Sequence, residues 1–157
     1  MTVPETVHAS VAVIGRDGVL IRGPSGSGKS SLVLGLIDRD PDGTRLVADD
    51  RVELRIVGGG LVAAAPAALA GKLEVRGQGI FDVDHVSPAD IRLVVDLLPA
   101  ETCSRLPDPA EAHVTIGSVV LPRLMLPIGA IDGPARVRFA LRHLPRAVHP
   151  ADDDARD

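Results

Sequence analysis

Residues 23–31 read GPSGSGKSS and match the phosphate-binding pattern G-x-x-x-x-G-K-[ST]. Gly23, Gly28, Lys29 and Ser30 occupy its four fixed positions. In this pattern backbone N–H groups cradle the phosphates of a nucleotide, the lysine reaches the β- and γ-phosphates, and the hydroxyl binds Mg²⁺. The stretch therefore predicts nucleotide binding, but it leaves open whether the chain is a switch, an ATPase or a kinase.

Two adjacent carboxylates, Asp49 and Asp50, follow the apolar stretch at 45–48. A phosphate-bound Mg²⁺ takes carboxylate as well as hydroxyl ligands, which makes Asp49 a candidate metal ligand beside Ser30. Phosphoryl transfer also gains from a carboxylate that accepts the proton of the acceptor hydroxyl. Neighbouring strand residues point to opposite faces, so the pair could divide these tasks. Alternatively, one of them simply pairs with a nearby arginine, Arg51 or Arg55.

Three further polar positions are ambiguous when only the residues are considered. Glu74, in LEVRGQGIFD, fits a surface strand of alternating charge, although the two glycines of that stretch suggest a close backbone approach. His8 begins an apolar run and fits a structural histidine. Arg105 lies in a proline-flanked stretch and fits an ordinary solvated arginine.

The elements around the glycine-rich stretch suit a phosphate-binding loop. Apolar runs at 8–15 and 18–23, separated by RDG, predict a hairpin whose second strand leads into the loop. Helical spacing of apolar residues predicts a helix over 29–39. A chance match to the motif between a strand and a helix is improbable, so this context strengthens the prediction of phosphate binding.

The rest of the chain is rich in hairpin signals rather than in evenly alternating strands and helices. The predicted elements are strands to about 48, at 51–57, after 58–60 and at 91–98, a helical turn at 66–72, a loop at 99–112, one or two strands broken at Pro122, and a helix at 134–144. This order predicts an α/β protein with a mixed sheet flanked by helices, and not a doubly wound parallel sheet.

Composition limits the organisation and the partners. The 157 residues are 45% hydrophobic, which predicts one domain over 1–148 with a disordered acidic tail at 149–157. A net charge of −4 and 1% aromatic residues argue against nucleic-acid binding. No apolar run is long enough to span a membrane and no signal peptide is recognised, so we expect a cytoplasmic protein without a membrane partner.

Three stretches together resemble a known family. VHASVAVIGRDGVLIRGPSGSGKSS, RLVADDRVEL and LEVRGQGIFDV are similar to the catalytic domain of HPr kinase/phosphorylase, over about residues 7–127. These bacterial enzymes phosphorylate a serine of the phosphocarrier protein HPr and remove the phosphate by attack of inorganic phosphate, which yields pyrophosphate. The resemblance implies a phosphoenolpyruvate-carboxykinase-like mixed α/β core, ATP and Mg²⁺ as cofactors, HPr or an HPr-like protein as partner, and a homo-oligomer, in the family a hexamer.

The resemblance also implies roles by position. Asp50 matches the general base, His8 an active-site histidine, Glu74 a magnesium ligand and Arg105 an active-site arginine. The residues implied in binding the ATP phosphates are Gly23, Pro24, Ser25, Gly26, Ser27, Gly28, Lys29 and Ser30.

The leading hypothesis is an ATP-dependent serine kinase acting on HPr. Two alternatives stay open: a kinase of the same fold with another acceptor, and a nucleotide-sensing module without transfer activity. The stretch PIGAIDG at 127–133 lacks the cation that the family often carries there for dephosphorylation, which leaves open whether phosphate removal is retained. A GTPase is disfavoured because no N-K-x-D run is present.

Overall fold

The computed structural model describes residues 4–144, which form eleven β-strands, two α-helices and two short 3-10 turns. The strands are β1 Glu5–Val7, β2 Ser10–Ile14, β3 Asp17–Arg22, β4 Thr44–Ala48, β5 Val52–Val57, β6 Gly60–Ala64, β7 Lys72–Val75, β8 Gly79–Asp82, β9 Ala89–Leu98, β10 His113–Ile116 and β11 Val119–Pro127. The helices are α1 Lys29–Arg39 and α2 Gly133–Arg142, and the 3-10 turns are Ala67–Leu69 and Ala100–Thr102.

Nine of these strands form one mixed sheet in the order β1-β5-β6-β9-β3-β2-β4, with β11 also beside β9 and β10 beside β11. Strands β3, β9 and β11 run parallel to one another, and the other pairs of this sheet are antiparallel. Strands β7 and β8 form a separate antiparallel hairpin. The prediction of a mixed α/β sheet is confirmed, and the carboxyl ends of its three parallel strands meet at one edge.

Both faces of the central strands are buried. Alternate residues of β3 enter different cores: Ile21 packs with Leu36 of α1 and Val137 of α2, whereas Leu20 packs with Leu54 of β5 and the neighbouring strands. Strands buried on both faces read as continuous apolar runs, which explains why β3 and β9 could be recognised in the sequence.

Helix α1 begins and ends where the sequence predicts. Leu32, Val33 and Leu36 are its buried apolar residues and lie on one face at helical spacing. Asp40 ends the helix, where its N–H donates to the carbonyl of Ile37 and its carboxylate accepts a hydrogen bond from the N–H of Gly43 at 3.2 Å. The helix is therefore anchored along one side of the sheet, with its amino terminus at the edge where β3 ends.

The predicted break at Pro122 is wrong. The chain turns at 117–118, and Pro122 lies inside β11. Residues 119–122 of β11 pair with β10, whereas residues 123–127 pair with β9. Pro122 stands at the point where the strand changes partners, a position where the missing N–H of proline is tolerated.

Three other strands are absent from the predicted elements. The hairpin of β7 and β8 occupies 72–82, where only a surface strand around Glu74 was considered, and β1 precedes the first predicted strand. The predicted tail at 149–157 lies outside the described residues, and the single domain over 1–148 stays a prediction. No helix between residues 4 and 144 combines the length and the apolar character needed to cross a membrane.

Candidate active site

A compact glycine-rich loop joins β3 to α1. Gly26 and Gly28 have φ of 77° and 98°, a left-handed conformation that favours glycine. A Cβ at Gly23 would lie 2.5 Å from the hydroxyl of Ser27, so this position also excludes a side chain. The N–H of Ser27 donates to the carbonyl of Pro24 at 3.0 Å and closes the turn. The loop can adopt this shape because glycine stands at these three positions.

The amino terminus of α1 opens onto the site without an acidic neighbour. Gly28 caps the helix, no side chain caps it by a hydrogen bond, and its first turn contains no acidic residue. Unpaired N–H groups and the helix dipole make such a terminus favourable for an anion. Lys29 adds a positive charge, and its Nζ donates to the carbonyls of Gly23 at 2.8 Å and Pro24 at 3.0 Å. An ammonium group has three donors, so one remains for a ligand.

Asp49 ties three elements to the end of β4. Its Oδ1 accepts hydrogen bonds from the hydroxyls of Ser10 at 2.8 Å and Ser30 at 2.7 Å, and its Oδ2 accepts one from the backbone N–H of Glu74 at 3.1 Å. The residue is buried. Neither Asp49 nor Asp50 forms an ion pair with Arg51 or Arg55 within residues 4–144, so the alternative of a simple arginine pair is not observed.

Asp50 points the other way, toward solvent and His8. Its φ is 68°, the only left-handed non-glycine backbone in the described part of the chain. Its side chain is 63% exposed, and its Oδ1 contacts Nε2 of His8. The two carboxylates do diverge as predicted, but because of this turn after β4 and not because of alternation along a strand. Oδ2 of Asp50 has no hydrogen-bond partner among residues 4–144.

These groups line one cavity of about 360 Å³. The predicted site residues that line it are His8, Ser25, Gly26, Gly28, Lys29, Ser30, Asp50 and Glu74. Gly23, Pro24 and Ser27 belong to the same loop but do not line the cavity, and Asp49 lies behind Ser30. Arg105 lies apart, exposed in the loop that follows Cys103, and is not brought to the cavity.

Three residues that line the cavity were not among the predicted site residues: Ser10, Ser31 and Arg76. Arg76 stands in the turn between β7 and β8, and its guanidinium lies 4.0 Å from where a Cβ on Gly26 would be. The alternating charges of LEVRG had suggested a surface strand. One signal was available in the sequence: Arg76 follows Glu74 by two residues, and in the surface strand then considered both side chains would share a face.

The balance of charge in the cavity suits a metal-bound polyphosphate. Asp50 and Glu74 line it together with the cations Lys29 and Arg76. Within residues 4–144, His, Cys, Asp and Glu form no cluster of three or more that would hold a metal by itself. Mg²⁺ does not need such a cluster, because it is usually held by one or two carboxylates together with substrate phosphates and water.

A charged network supports the loop from below. Asp96 of β9 accepts hydrogen bonds from Arg22 at 2.7 and 2.8 Å and from Arg123 of β11 at 2.6 Å. Burial alone would raise the pKa of Asp96, but the hydrogen bonds and charges of the two arginines outweigh burial and hold that pKa below its ordinary value. The network links the three parallel strands, and its member Arg22 is the last residue of β3, directly before Gly23.

Fold and site together define a mixed α/β protein with a glycine-rich loop at the end of a parallel strand and a carboxylate pair beside it. The family model described as the HPr Serine kinase C-terminal domain matches residues 1–135. The chain therefore belongs to that family, and the resemblance found in its three sequence stretches is confirmed.

Similar proteins and a similar solved structure support this membership. The HPr kinase/phosphorylase of Clostridium tetani is 47% identical over 81 residues, which cover 51% of this chain and 26% of that protein. That of Clostridium acetobutylicum is 38% identical over 136 residues, covering 80% and 43%. A solved structure, the Hpr(Ser) kinase/phosphatase from Coxiella burnetii, has a TM-score of 0.74 and 31% identity and covers 88% of each chain. The chain spans less than half the length of these curated relatives.

Proposed function

We propose that this chain is the catalytic core of an ATP-dependent serine kinase whose acceptor is HPr or an HPr-like protein. The observation that carries the proposal is that a carboxylate with one unpaired oxygen, on Asp50, lines the same cavity as Lys29, Ser30 and the glycine-rich loop. Family membership supports the same activity, because the relatives are named for it.

On the nucleotide side, the loop and the amino terminus of α1 would bind the ATP phosphates through backbone N–H groups. Lys29 would move its free N–H onto the β- and γ-phosphate oxygens. Mg²⁺ would be held by Ser30 and Glu74, with Asp49 positioning Ser30 through the hydrogen bond of 2.7 Å or joining the metal directly. The bound ion supplies neutralisation of the phosphate charge. In this proposal the loop is a true P-loop within a phosphoenolpyruvate-carboxykinase-like core.

On the acceptor side, Oδ2 of Asp50 would accept the proton of the serine hydroxyl while the oxygen attacks the γ-phosphorus. His8 would keep the carboxylate facing the cavity through its contact with Oδ1. Arg105 would reach the transferred phosphoryl group only if its exposed loop closes over the cavity. In the reverse direction the protonated Asp50 would return a proton to the serine oxygen as inorganic phosphate attacks and pyrophosphate forms.

The two alternatives make different demands on this cavity. A nucleotide sensor has no use for an unpaired carboxylate oxygen beside the phosphate-binding loop, so Asp50 disfavours it. A kinase with another acceptor would use the same machinery and differ only in its docking surface. A cytoplasmic location and assembly into a homo-oligomer, as in the family hexamer, remain predictions of the resemblance.

The test is to incubate the purified protein with HPr and Mg-ATP and to measure phosphoserine on HPr by intact-mass spectrometry. Asp50→Asn should retain ATP binding and lose transfer by about 10²–10⁴-fold, because positioning survives while the proton acceptor is gone. Asp42→Asn, at an exposed turn outside the cavity, is the matched control and should transfer normally. Equal labelling by the parent and Asp50→Asn would refute the role of Asp50, and an unlabelled HPr in every reaction would refute the proposed acceptor.

A further inference from the structure

A single buried hydroxyl connects the two adjacent carboxylates. Ser10 begins β2 and is 0% exposed, in a strand whose other buried residues are apolar. Its Oγ donates to Oδ1 of Asp49 at 2.8 Å and accepts the backbone N–H of Asp50 at 3.3 Å. A buried hydroxyl is costly unless it is hydrogen-bonded, so the role of Ser10 in this strand lies in these two contacts.

The backbone at Asp50 forms an uncommon turn. Its φ is 68°, and the N–H of Arg51 donates to the carbonyl of Asp49 at 2.8 Å, across Asp50. A hydrogen bond between residues two apart, around a central residue of positive φ, is characteristic of the rare and strained form of the γ-turn. Strain of this kind persists only where the surrounding structure holds it, and it is concentrated at functional sites.

Two residues of one segment hold this turn at both of its ends. His8 contacts the carboxylate of Asp50 through Nε2, and Ser10 binds the backbone N–H of the same residue. Strands β2 and β4 are antiparallel and pair as far as Val11 and Ala48, so Ser10 stands where the backbone ladder between them ends. Beyond that point the side chain of Ser10, and not its backbone, binds the segment that leaves β4.

The single proton of the hydroxyl makes its two contacts depend on each other. Serine donates one O–H and accepts through two lone pairs. Because the carboxylate of Asp49 takes the proton, the lone pairs of Oγ remain for the N–H of Asp50. Asp49 is itself held by the hydroxyl of Ser30 and the backbone N–H of Glu74. The backbone of Asp50 is therefore tied through Ser10 to α1 and β7.

We propose that Ser10 is a positioning residue for phosphoryl transfer, because it holds the turn that presents the Asp50 carboxylate to the cavity; this inference rests on the proposed function. Ser10 is fully buried in the cavity floor and acts through Asp50, whereas the glycine-rich loop and Lys29 serve the phosphates. Loss of the hydroxyl leaves the carboxylate present but displaced. A displacement of about 1 Å at a reacting group costs up to about 10²-fold in rate.

The test measures phosphorylation of HPr and binding of Mg-ATP for Ser10→Ala, Ser10→Thr and the double variant of Ser10→Ala with Asp50→Asn. Ser10→Ala should lower kcat about tenfold to hundredfold and leave the Kd for Mg-ATP within about twofold, measured by isothermal titration calorimetry. Ser10→Thr keeps a hydroxyl and should recover kcat to within about fivefold of the parent. In the Asp50→Asn background, Ser10→Ala should lower transfer by less than about twofold, because the group that Ser10 positions is already disabled.

Val13→Ala is the matched control for lost packing. Val13 is buried in the same strand, at 6% exposed, and lies outside the cavity. Its truncation should lower Tm but keep kcat within about twofold of the parent, because Val13 does not line the cavity that contains Asp50. Every kcat is measured at a temperature at which circular dichroism shows the variant folded. If Ser10→Ala does not fold, Ser10→Cys replaces it with the same expected loss, because a thiol is a weak donor and acceptor.

Four results would overturn the positioning role of Ser10. They are a kcat of Ser10→Ala equal to that of the parent, a folded Ser10→Thr as slow as Ser10→Ala, losses that multiply fully in the double variant, and a loss carried by weaker binding of Mg-ATP. The last result would mean that Ser10 acts on the loop through Asp49 and not through Asp50.

Failure of the proposed function gives a different pattern. If the parent labels no HPr, the kinase proposal fails, and amide hydrogen exchange tests the inference without any activity. Exchange of the Asp50 N–H should then be at least about tenfold faster in Ser10→Ala than in the parent or in Val13→Ala. An unchanged exchange rate would overturn the role of Ser10 in holding the turn.

Discussion

Replacing each of the two adjacent aspartates by asparagine should have very unequal effects on stability. In Asp49→Asn the amide oxygen can still accept from the hydroxyls of Ser10 and Ser30, as Oδ1 does. The amide NH₂ then faces the backbone N–H of Glu74, where Oδ2 now accepts at 3.1 Å. In Asp50→Asn the exposed side chain keeps an oxygen for His8, and asparagine tolerates the φ of 68°.

The expected magnitude follows from this count of bonds. Asp49→Asn loses the hydrogen bond from the N–H of Glu74 to a charged acceptor, which is worth about 1.5–3 kcal/mol. It also places the amide NH₂ against that N–H, so that two donors face each other. The two hydrogen bonds from Ser10 and Ser30 remain, but they become weaker because their acceptor is no longer charged. Together these effects lower the free energy of unfolding by about 3 kcal/mol. For a domain of this size that corresponds to a fall in Tm of about 6–12 °C. Asp50→Asn should stay within about 0.5 kcal/mol of the parent, as most exposed substitutions do.

The assay is urea and thermal unfolding of the parent and both variants without nucleotide, followed by circular dichroism. Omitting nucleotide and Mg²⁺ separates the structural role of Asp49 from any role in metal binding. The reasoning would be refuted if Asp49→Asn unfolds within 0.5 kcal/mol of the parent, or if Asp50→Asn is the less stable of the two variants. Either result would mean that the hydrogen bonds to Asp49 do not hold β2, α1 and β7 to the end of β4.

Substitutions at Asp96 of β9 and Gly18 of β3 test how the parallel strands next to the site are held together. Asp96→Asn should destabilise the protein by about 2–4 kcal/mol at pH 7, because two arginines lose their carboxylate partner. Since the pKa of Asp96 is lowered by folding, its contribution is full above its unfolded pKa of about 3.9 and is lost as pH falls through the lower folded value. The gap in urea midpoint between parent and variant should therefore narrow below about pH 4, and a gap independent of pH down to about pH 2 would contradict the assignment. Gly18→Ala places a Cβ 2.3 Å from the carbonyl oxygen of Asp90 and should cost about 2–3 kcal/mol. Gly60→Ala, whose Cβ would meet nothing closer than 3.7 Å, is the matched control, and equal stability of these two alanine variants would disprove the close contact.

The parts of the fold that could be predicted are those whose signal is local. Helix α1 has helical spacing of its apolar residues, a glycine before it and a turn after it, so both of its ends were predicted correctly. The break in β11 was misjudged because the tolerance for Pro122 depends on which strand lies beside each residue. That information comes from the topology of the sheet and not from the residues around the proline.

The same distinction applies to the candidate site. The glycine-rich loop before α1 could be located because its residues are contiguous, and the place of Asp50 beside it because that residue follows an apolar strand. Arg76 was missed, since its position at the loop depends on how the separate hairpin of β7 and β8 packs against the sheet. Arg105 was carried over from the family resemblance, and its active-site role stays a prediction that the geometry of its exposed loop does not yet support.

Strand β9 has a consequence for the order in which this chain can fold during synthesis. Its neighbours β3, β6 and β11 come from residues 17–22, 60–64 and 119–127. Once residue 40 has emerged from the ribosome the whole loop and its helix are present, but β3 lacks a parallel partner until about residue 96 has emerged. Roughly sixty further peptide bonds, about 3–12 seconds at ordinary elongation rates, therefore separate synthesis of the loop from synthesis of the parallel partner of β3.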